Sequence, residues 1–397
     1  MFRTRRYRPL VVALLITLAL LAFTAAVPAA GAAAPSAAAP WTCAIYVDGD
    51  NNLEKYWDQY SLAGLLDVPS SPGVNVVAMV DRFSTSGTEL VEIDGGVRRV
   101  VATYPEKNFG DGGTLAWFIQ TVSELYPSTH LAVTLWDHGN GWRYIAKDDT
   151  SDGDRITMDE MGQALTDGGA WIDILAFDAC NMGDVAVAYE AALTGTVGIM
   201  VASEESIPYN GFPYGRMLTP VAQDPSRTPA QVAADLVAGW KTYYETLTWA
   251  KGAHLAAVDV TRIGAAVPDL QSWSARLAAG LPAYRKAYAN ALGRSWTPWA
   301  TRYEDLGDLC GQLDASASIT DATLKALSRT VRADLAAALI AQDTAPKSAT
   351  ATGLAIWWAQ KNTWTAFQAD FKAQVSFAQP APLGVDWWAF LDAYNGK

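Results

Sequence analysis

The run Leu131-Ala-Val-Thr-Leu-Trp-Asp-His138-Gly139 and its later counterpart Asp173-Ile-Leu-Ala-Phe-Asp-Ala-Cys180 decide the fold. Each is a short apolar stretch, suited to a buried strand of a parallel sheet. Each leads into a residue able to do acid–base or nucleophilic chemistry. Parallel strands that finish at the same sheet edge bring an imidazole and a thiol together. In open α/β sheets that carboxyl edge is where ligands bind. A base beside a thiol is what a cysteine hydrolase needs, because the thiolate is the nucleophile and a neighbouring His lowers its pKa.

The flanking pattern repeats the same theme. Strand-like runs at Trp41 to Val47 and Val74 to Asp81 precede a hairpin, Glu89 to Asp94 and Val97 to Ala102 around Gly95-Gly96. Helical spacing from Thr114 to Leu125 leads to the His138 strand. A polar loop, Lys147 to Asp154, is closed by Thr157-Met-Asp-Glu160, a capping box that opens a helix. The Cys180 strand, a helix from Val185 to Leu193 and the strand Val197 to Ser203 complete a β-α order, which implies a mostly parallel sheet covered by helices. Beyond about Gln223 helical patterns dominate, at Ala230 to Tyr244, Ile263 to Leu281, Leu306 to Leu313 and Asp321 to Ile340. They are interrupted by strand-like His254 to Val260 and Gly353 to Trp358. This gives an α/β catalytic domain over 41–260 and a mainly helical region over 261–397, packed on or extending the same sheet.

The first residues are a separate element. Arg3, Arg5, Arg6 and Arg8 precede an apolar run from Leu10 to about Val27, and the small-residue tract from Pro28 follows. That order is a secretory signal peptide over 1–34, its end falling between 30 and 40. The reading predicts export and no stable membrane insertion after cleavage. Loss of four arginines and no acids takes the formal net charge from −12 to −16. So acidic a chain argues against nucleic acid, which demands a basic patch, and is compatible with a cationic substrate. The three cysteines, Cys43, Cys180 and Cys310, are too few for a disulfide scaffold. Cys43 and Cys310 read as buried thiols in a strand and a helix.

At the chemical edge, Gly139 lets the backbone approach a substrate and leaves its N–H free for a developing oxyanion. Cys180 sits at a strand-to-helix turn. Asp178, two residues earlier, shares a strand face with it. Its carboxylate either receives a basic substrate side chain or is a structural group bonded to loop amides.

These residues resemble the layout of the clan CD cysteine peptidases, among them caspases, legumains and gingipains. The nearer resemblance is to the clostripain family. It rests on Asp50-Asn51-Asn52-Leu53-Glu54, on Leu135-Trp-Asp-His138-Gly139-x-Gly141-Trp142, and on Phe177-Asp178-Ala-Cys180-Asn-Met182. The segment Ala202-Ser-Glu204-Glu205-Ser-Ile-Pro208-Tyr-Asn-Gly211-Phe-Pro-Tyr214 also fits it. The resemblance implies a caspase-like three-layer α/β/α sandwich and a thiol endopeptidase cutting protein or peptide substrates after Arg or Lys. It implies Cys180 as nucleophile, His138 as proton carrier, and the N–H groups of Gly139 and Cys180 as oxyanion donors. Asp178 would floor the substrate pocket, with Glu205 and Asn210 beside it. The family's second pocket acid is absent here, its place being held by Asn210. Self-cleavage between the two blocks would fall at Arg143, Lys147 or Arg155.

No cofactor is required for such chemistry. A calcium site is conceivable at Asp148, Asp152 and Asp154, whose spacing partly matches a calcium loop, although solvated loop acids explain the same pattern. Zinc lacks a ligand-spaced cluster. Trp357-Trp358, Trp364 and Trp387-Trp388 read as core anchors. The alternative is a catalytically inactive surface protein that binds protein or glycan through this Trp-rich part.

Overall fold

Thirteen strands alternate with helices along the described residues, 38–250, 252–298 and 303–396 of a computed structural model. In chain order they are β1 (Ala39–Gly49), β2 (Val74–Arg82), β3 (Thr88–Asp94), β4 (Val97–Tyr104), β5 (Ser128–Trp136), β6 (Ile145–Asp148) and β7 (Asp154–Ile156). They continue with β8 (Ile172–Asp178), β9 (Val197–Ala202), β10 (His254–Asp259), β11 (Tyr303–Asp305), β12 (Leu339–Thr344) and β13 (Ala355–Trp357). Nine of them form one sheet in the order β12-β10-β9-β8-β5-β1-β2-β3-β4. The central run from β9 to β2 is parallel, and antiparallel strands close both sides.

The apolar runs are continuous rather than alternating because both sheet faces are covered. On β1, Ala44 and Tyr46 pack into one buried layer while Cys43, Ile45 and Val47 pack into the other. The first layer is filled from helices Gly112–Leu125, Met158–Asp167, Val185–Thr194 and Val267–Leu292. The second takes Tyr214–Gln223 and Pro229–Tyr244. The result is the expected α/β/α sandwich, with β5 and β8 adjacent near its centre. Their register pairs Trp136 with Asp178, so His138 and Cys180 both lie two residues past the same rung.

The structure differs from the sequence reading at three places. Lys147 to Asp154 is not a plain loop, since β6 and β7 pair across it as a hairpin. The helix expected to run to Ile340 stops at Ala338, and the chain enters β12, which covers the free edge of β10. Of the strand expected at Gly353 to Trp358, only Ala355–Trp357 is extended, and it pairs with β11 outside the main sheet. The Thr157–Glu160 capping box forms as expected.

Trp357, Trp358, Trp364 and Trp387 are buried, with Trp387 stacked on Trp273 at 5.5 Å. They join the C-terminal segment to the sandwich's helical layer, and the half-buried Trp388 donates its Nε1–H to the Gln368 carbonyl at 3.0 Å. The signal-peptide segment lies outside the described residues. Among the described residues no helix is long and apolar enough to cross a membrane.

Candidate active site at the carboxyl edge of the sheet

Past β5 the chain turns through Asp137, which is buried and fixed from two sides. Its Oδ1 accepts from Asn51 Nδ2 at 2.8 Å and its Oδ2 from the Lys147 amide at 2.5 Å. Asn51 also donates to the carbonyls of Asp48 and Lys147. That clamp sets where the next residue, His138, stands on the rim. His138 is half-buried, and its Nε2 lies 2.9 Å from Asn52 Oδ1. An amide oxygen can only accept, so Nε2 carries the hydrogen and Nδ1 is the basic nitrogen of the neutral ring. Burial first, and then the Lys147 and Arg155 charges, lower the imidazole's pKa against the opposing pull of Asp149.

The second block is held as firmly. After Asp178 the backbone turns at Asn181 with a φ of 61°, a left-handed conformation that Asn tolerates better than most residues. Asn181 anchors this turn by donating its amide to the Glu205 carbonyl and Nδ2 to the Glu204 carbonyl. Asp184 then caps helix Val185–Thr194 through the Ala186 amide, and its other oxygen accepts from the Trp142 amide at 3.2 Å. One buried carboxylate thereby ties the loop after His138 to the loop after Cys180.

The two loops touch directly. A Cβ placed on Gly139 would lie 2.7 Å from the Cys180 carbonyl oxygen and 2.9 Å from Met182 Sδ, so no larger residue fits without parting them. Among the described residues neither the Gly139 nor the Cys180 amide donates to a backbone acceptor. Cys180 is half-buried, and its thiol donates to the Ile207 carbonyl at 3.8 Å. The ring and the thiol are neighbours on one edge but are not hydrogen-bonded to each other, each being bonded elsewhere.

The electrostatics of the thiol depart from the sequence expectation of a His-lowered pKa. Burial above all raises the Cys180 pKa, and the Asp178 and Glu205 charges add to it. Hydrogen bonds from Ile207 and Ser206 pull the other way. Both shifts favour the uncharged forms, thiol and imidazole. Cys43 and Cys310 are buried and unpaired, as expected, and burial drives the Cys43 pKa up to about 12.

Asp178 lies beneath the thiol with only 4% of its surface exposed. Its Oδ2 accepts from the Phe212 amide at 2.9 Å and the Tyr214 hydroxyl at 3.1 Å. Burial raises its pKa to about 7 against those two bonds. Phe212 and Tyr214 were not foreseen as its partners, although both stand in the segment singled out by resemblance. Glu205 accepts from the Ser206 amide, and Asn210 donates to the Tyr243 hydroxyl at 2.6 Å. Of the three basic residues between the blocks, Arg143 stacks over Phe367 at 4.0 Å. Lys147 has its amide and carbonyl engaged by Asp137 and Asn51. Arg155 is exposed, 4.7 Å above the Tyr144 ring.

Asp148, Asp152 and Asp154, whose spacing partly matches a calcium loop, do not gather in one cluster. Asp152 is exposed in a turn with φ 61°, and Asp154 bonds Asn108 and the Arg155 amide. Asp148 instead points inward with Asp50 and Asp81, and one carboxylate oxygen of each lies within 4.8 Å of the others. Spacing along the chain does not convey this grouping, because Asp50 follows β1 and Asp81 lies on β2.

Fold and edge together define a caspase-like α/β protein with a thiol and an imidazole on adjacent strand ends. The sequence profile of the clostripain family matches residues 45–390, and the chain belongs to that family. It is 27% identical over 217 residues to clostripain of Hathewaya histolytica, a match covering 44% of this chain and 41% of that protein's length. Two solved structures share the fold over nearly their whole length. An inactive zymogen C11 protease from Parabacteroides distasonis has a TM-score of 0.66 at 19% identity, covering 90% of this chain and 99% of that one. A secreted C11 cysteine protease from Bacteroides thetaiotaomicron, in complex with an irreversible peptide inhibitor, has a TM-score of 0.65 at 19% identity, covering 89% and 99%.

Proposed function

We propose that this protein is a secreted cysteine endopeptidase that hydrolyses peptide bonds after Arg or Lys through Cys180 and His138. The observation that carries the reading is the close approach of Gly139 to the Cys180 carbonyl, which brings together two loops whose amides donate to no backbone acceptor among the described residues. In this reading a substrate carbonyl settles between those two amides, with its carbon facing Cys180 Sγ. Sulfur attacks that carbon as His138 Nδ1 takes the thiol proton, and the oxygen gains its negative charge against the Gly139 and Cys180 N–H groups. His138 next protonates the leaving amine, and the C–N bond breaks to leave a thioester. Water, deprotonated by the same Nδ1, hydrolyses that ester and returns the thiol. The raised thiol pKa favours proton removal together with attack rather than before it. Asn52 keeps the Nε2–H tautomer in place throughout.

Preference for a basic residue draws its support from Asp178, whose Oδ1 takes no hydrogen bond among the described residues while Oδ2 is held. A substrate guanidinium or ammonium would favour its ionised form and lower the raised pKa. Glu205 and Asn210 flank the same pocket in this reading. Self-cleavage at Arg143, Lys147 or Arg155 belongs to it as well, with Arg155 the most exposed of the three. Export rests on the N-terminal sequence order. Proteolysis by thiol and imidazole needs no cofactor for its chemistry.

The test is Cys180→Ala assayed on a peptide reporter carrying a single Lys or Arg. Hydrolysis should vanish while the thermal midpoint stays near wild type. Activity that persists in the variant removes Cys180 as the nucleophile.

A further inference from the structure

Behind the turn that carries Cys180 lies a pair of acids that the proposed chemistry does not touch. Glu204 follows β9 and Asp305 ends β11, and both are fully buried. They grip neighbouring residues of one loop. Glu204 Oε1 accepts from the Gly353 amide at 2.9 Å, and Asp305 accepts from the Thr352 amide and hydroxyl. Among the described residues neither acid pairs with a Lys or Arg. The base that faces Glu204 is His254 of β10, whose Nδ1 accepts from the Glu204 amide at 3.4 Å. Its hydrogen is therefore on Nε2, and burial pushes the ring's pKa down to about 3, so His254 brings no charge. Glu204 Oε2 is buried without a donor, and its carboxyl has Asp305 as a hydrogen-bonding neighbour. Two buried carboxyls can bond only if one keeps its proton. Burial first, then the Asp305 and Glu205 charges, raise the Glu204 pKa well above the carboxyl range. Burial raises Asp305 only to about 6, because amides, the Thr352 hydroxyl and Glu204 itself oppose it. Glu204 is thus the donor of the pair.

The same residue holds the cysteine turn. The Glu204 carbonyl accepts from Asn181 Nδ2 at 2.8 Å, and the Glu205 carbonyl accepts from the Asn181 amide at 3.2 Å. A Cβ placed on Gly183 would lie 2.6 Å from the Glu204 nitrogen, so the turn and this segment are in close contact. The Gly183 carbonyl accepts from the Ala355 amide at 2.8 Å, two residues past the Gly353 that Glu204 grips. We propose that Glu204 is a positioning residue for Cys180, its protonated carboxyl bonded to Asp305 so that the turn is braced against residues 352–355. Holding a nucleophile in place carries a large factor, since a misplacement of about 1 Å can cost on the order of a hundredfold in rate. The effect on turnover rests on the proteolytic reading, whereas the hold on the turn does not.

The experiment compares three variants of the full chain by kinetics on a Lys reporter, by hydrogen–deuterium exchange and by thermal melt. Glu204→Gln keeps an oxygen for the Gly353 amide and an N–H for Asp305, so kcat should stay within about twofold of wild type, and deuterium uptake at residues 180–184 should not change. Glu204→Ala removes the brace. Its kcat should fall about ten- to a hundredfold with KM nearly constant, and uptake at 180–184 should quicken in the folded protein. Asn181→Asp keeps Glu204 and tolerates the left-handed turn but loses the Nδ2 donor. It should show the same two effects, and it carries the test if Glu204→Ala does not fold. The proposal is overturned by unchanged uptake at 180–184 in the folded variants, by a Glu204→Gln enzyme as impaired as Glu204→Ala, or by a lowered midpoint with kcat intact, which would mark Glu204 as merely structural. Exchange decides the hold on the turn even in a protein without Cys180-dependent hydrolysis, the outcome that would remove the proteolytic reading by itself.

Discussion

Replacing Gly139 by alanine probes the contact that brings the two chemical loops together. The added methyl would sit 2.7 Å from the Cys180 carbonyl, 2.9 Å from Met182 Sδ and 3.0 Å from Ala179 Cβ. Comfortable contacts begin near 3.5 Å, so the loops must separate by roughly 0.8 Å. Overpacking of that size costs about 1–3 kcal/mol, or a fall in midpoint of roughly 2–6 °C. The chemical penalty should be larger. Gly139 and Cys180 supply the two oxyanion donors of the proposed mechanism, and removing one such donor costs on the order of 10²–10³ in kcat. Gly139→Ala should therefore lose at least about a hundredfold in kcat, with KM changing little, because the donors act on charge present only in the transition state. Steady-state kinetics on a Lys reporter, with a thermal melt alongside, measures both. Gly162→Ala is the control, since nothing lies within 4 Å of its added methyl. That variant should keep full activity and gain about 0.5–1 kcal/mol from the helix-favouring residue. A Gly139→Ala enzyme with kcat within threefold of wild type would refute the reasoning.

Three further outcomes follow from the charges. The raised Cys180 pKa means that alkylation by iodoacetamide, without substrate, should climb about tenfold per pH unit up to pH 9; a plateau below pH 8 would reveal a resting thiolate instead. Asp178→Asn removes a charge that disfavours the thiolate, so alkylation at pH 7.5 should quicken while kcat/KM falls on Lys and Arg peptides and holds on neutral ones. Equal losses on both peptide classes would mark Asp178 as purely structural. Burial lifts the folded-state pKa of Asp178, Asp184 and Glu190 to about 7, above ordinary carboxyl values of 3.8 and 4.5. Their stabilisation is complete below those ordinary values and is lost as pH rises through about 7. The midpoint should thus fall between pH 5 and 8, and Asp184→Asn should flatten part of that slope.

The sandwich was legible in the sequence because both its faces are covered. Strands such as β1, β5 and β8 are then uninterrupted apolar runs, and the helices between them carry their own spacing and caps. The His138 and Cys180 ends could be read for the same reason, since a parallel register sends successive strands to one edge. What escaped depended on tertiary pairing. Leu339 to Thr344 continues an alanine-rich helical pattern, yet it extends because β10 would otherwise present an open edge. Asn52 stood inside a recognised motif, but nothing in one dimension aims its amide at His138. Asp81 gave no sign at all, being one acid at the end of an apolar strand. The rise in the Cys180 pKa depends on burial and on Asp178 and Glu205 around the sulfur, which the motif alone does not convey.

The central claim is that Cys180 is the reactive sulfur and that His138 activates it. It is tested most directly by treating the protein with a peptide ending in a lysyl electrophile and mapping the adduct by mass spectrometry. The account predicts one adduct, on Cys180, formed far more slowly in His138→Ala and absent from Cys43 and Cys310. Labelling of either buried cysteine, or a Cys180 adduct forming at the same rate without the imidazole, would contradict it.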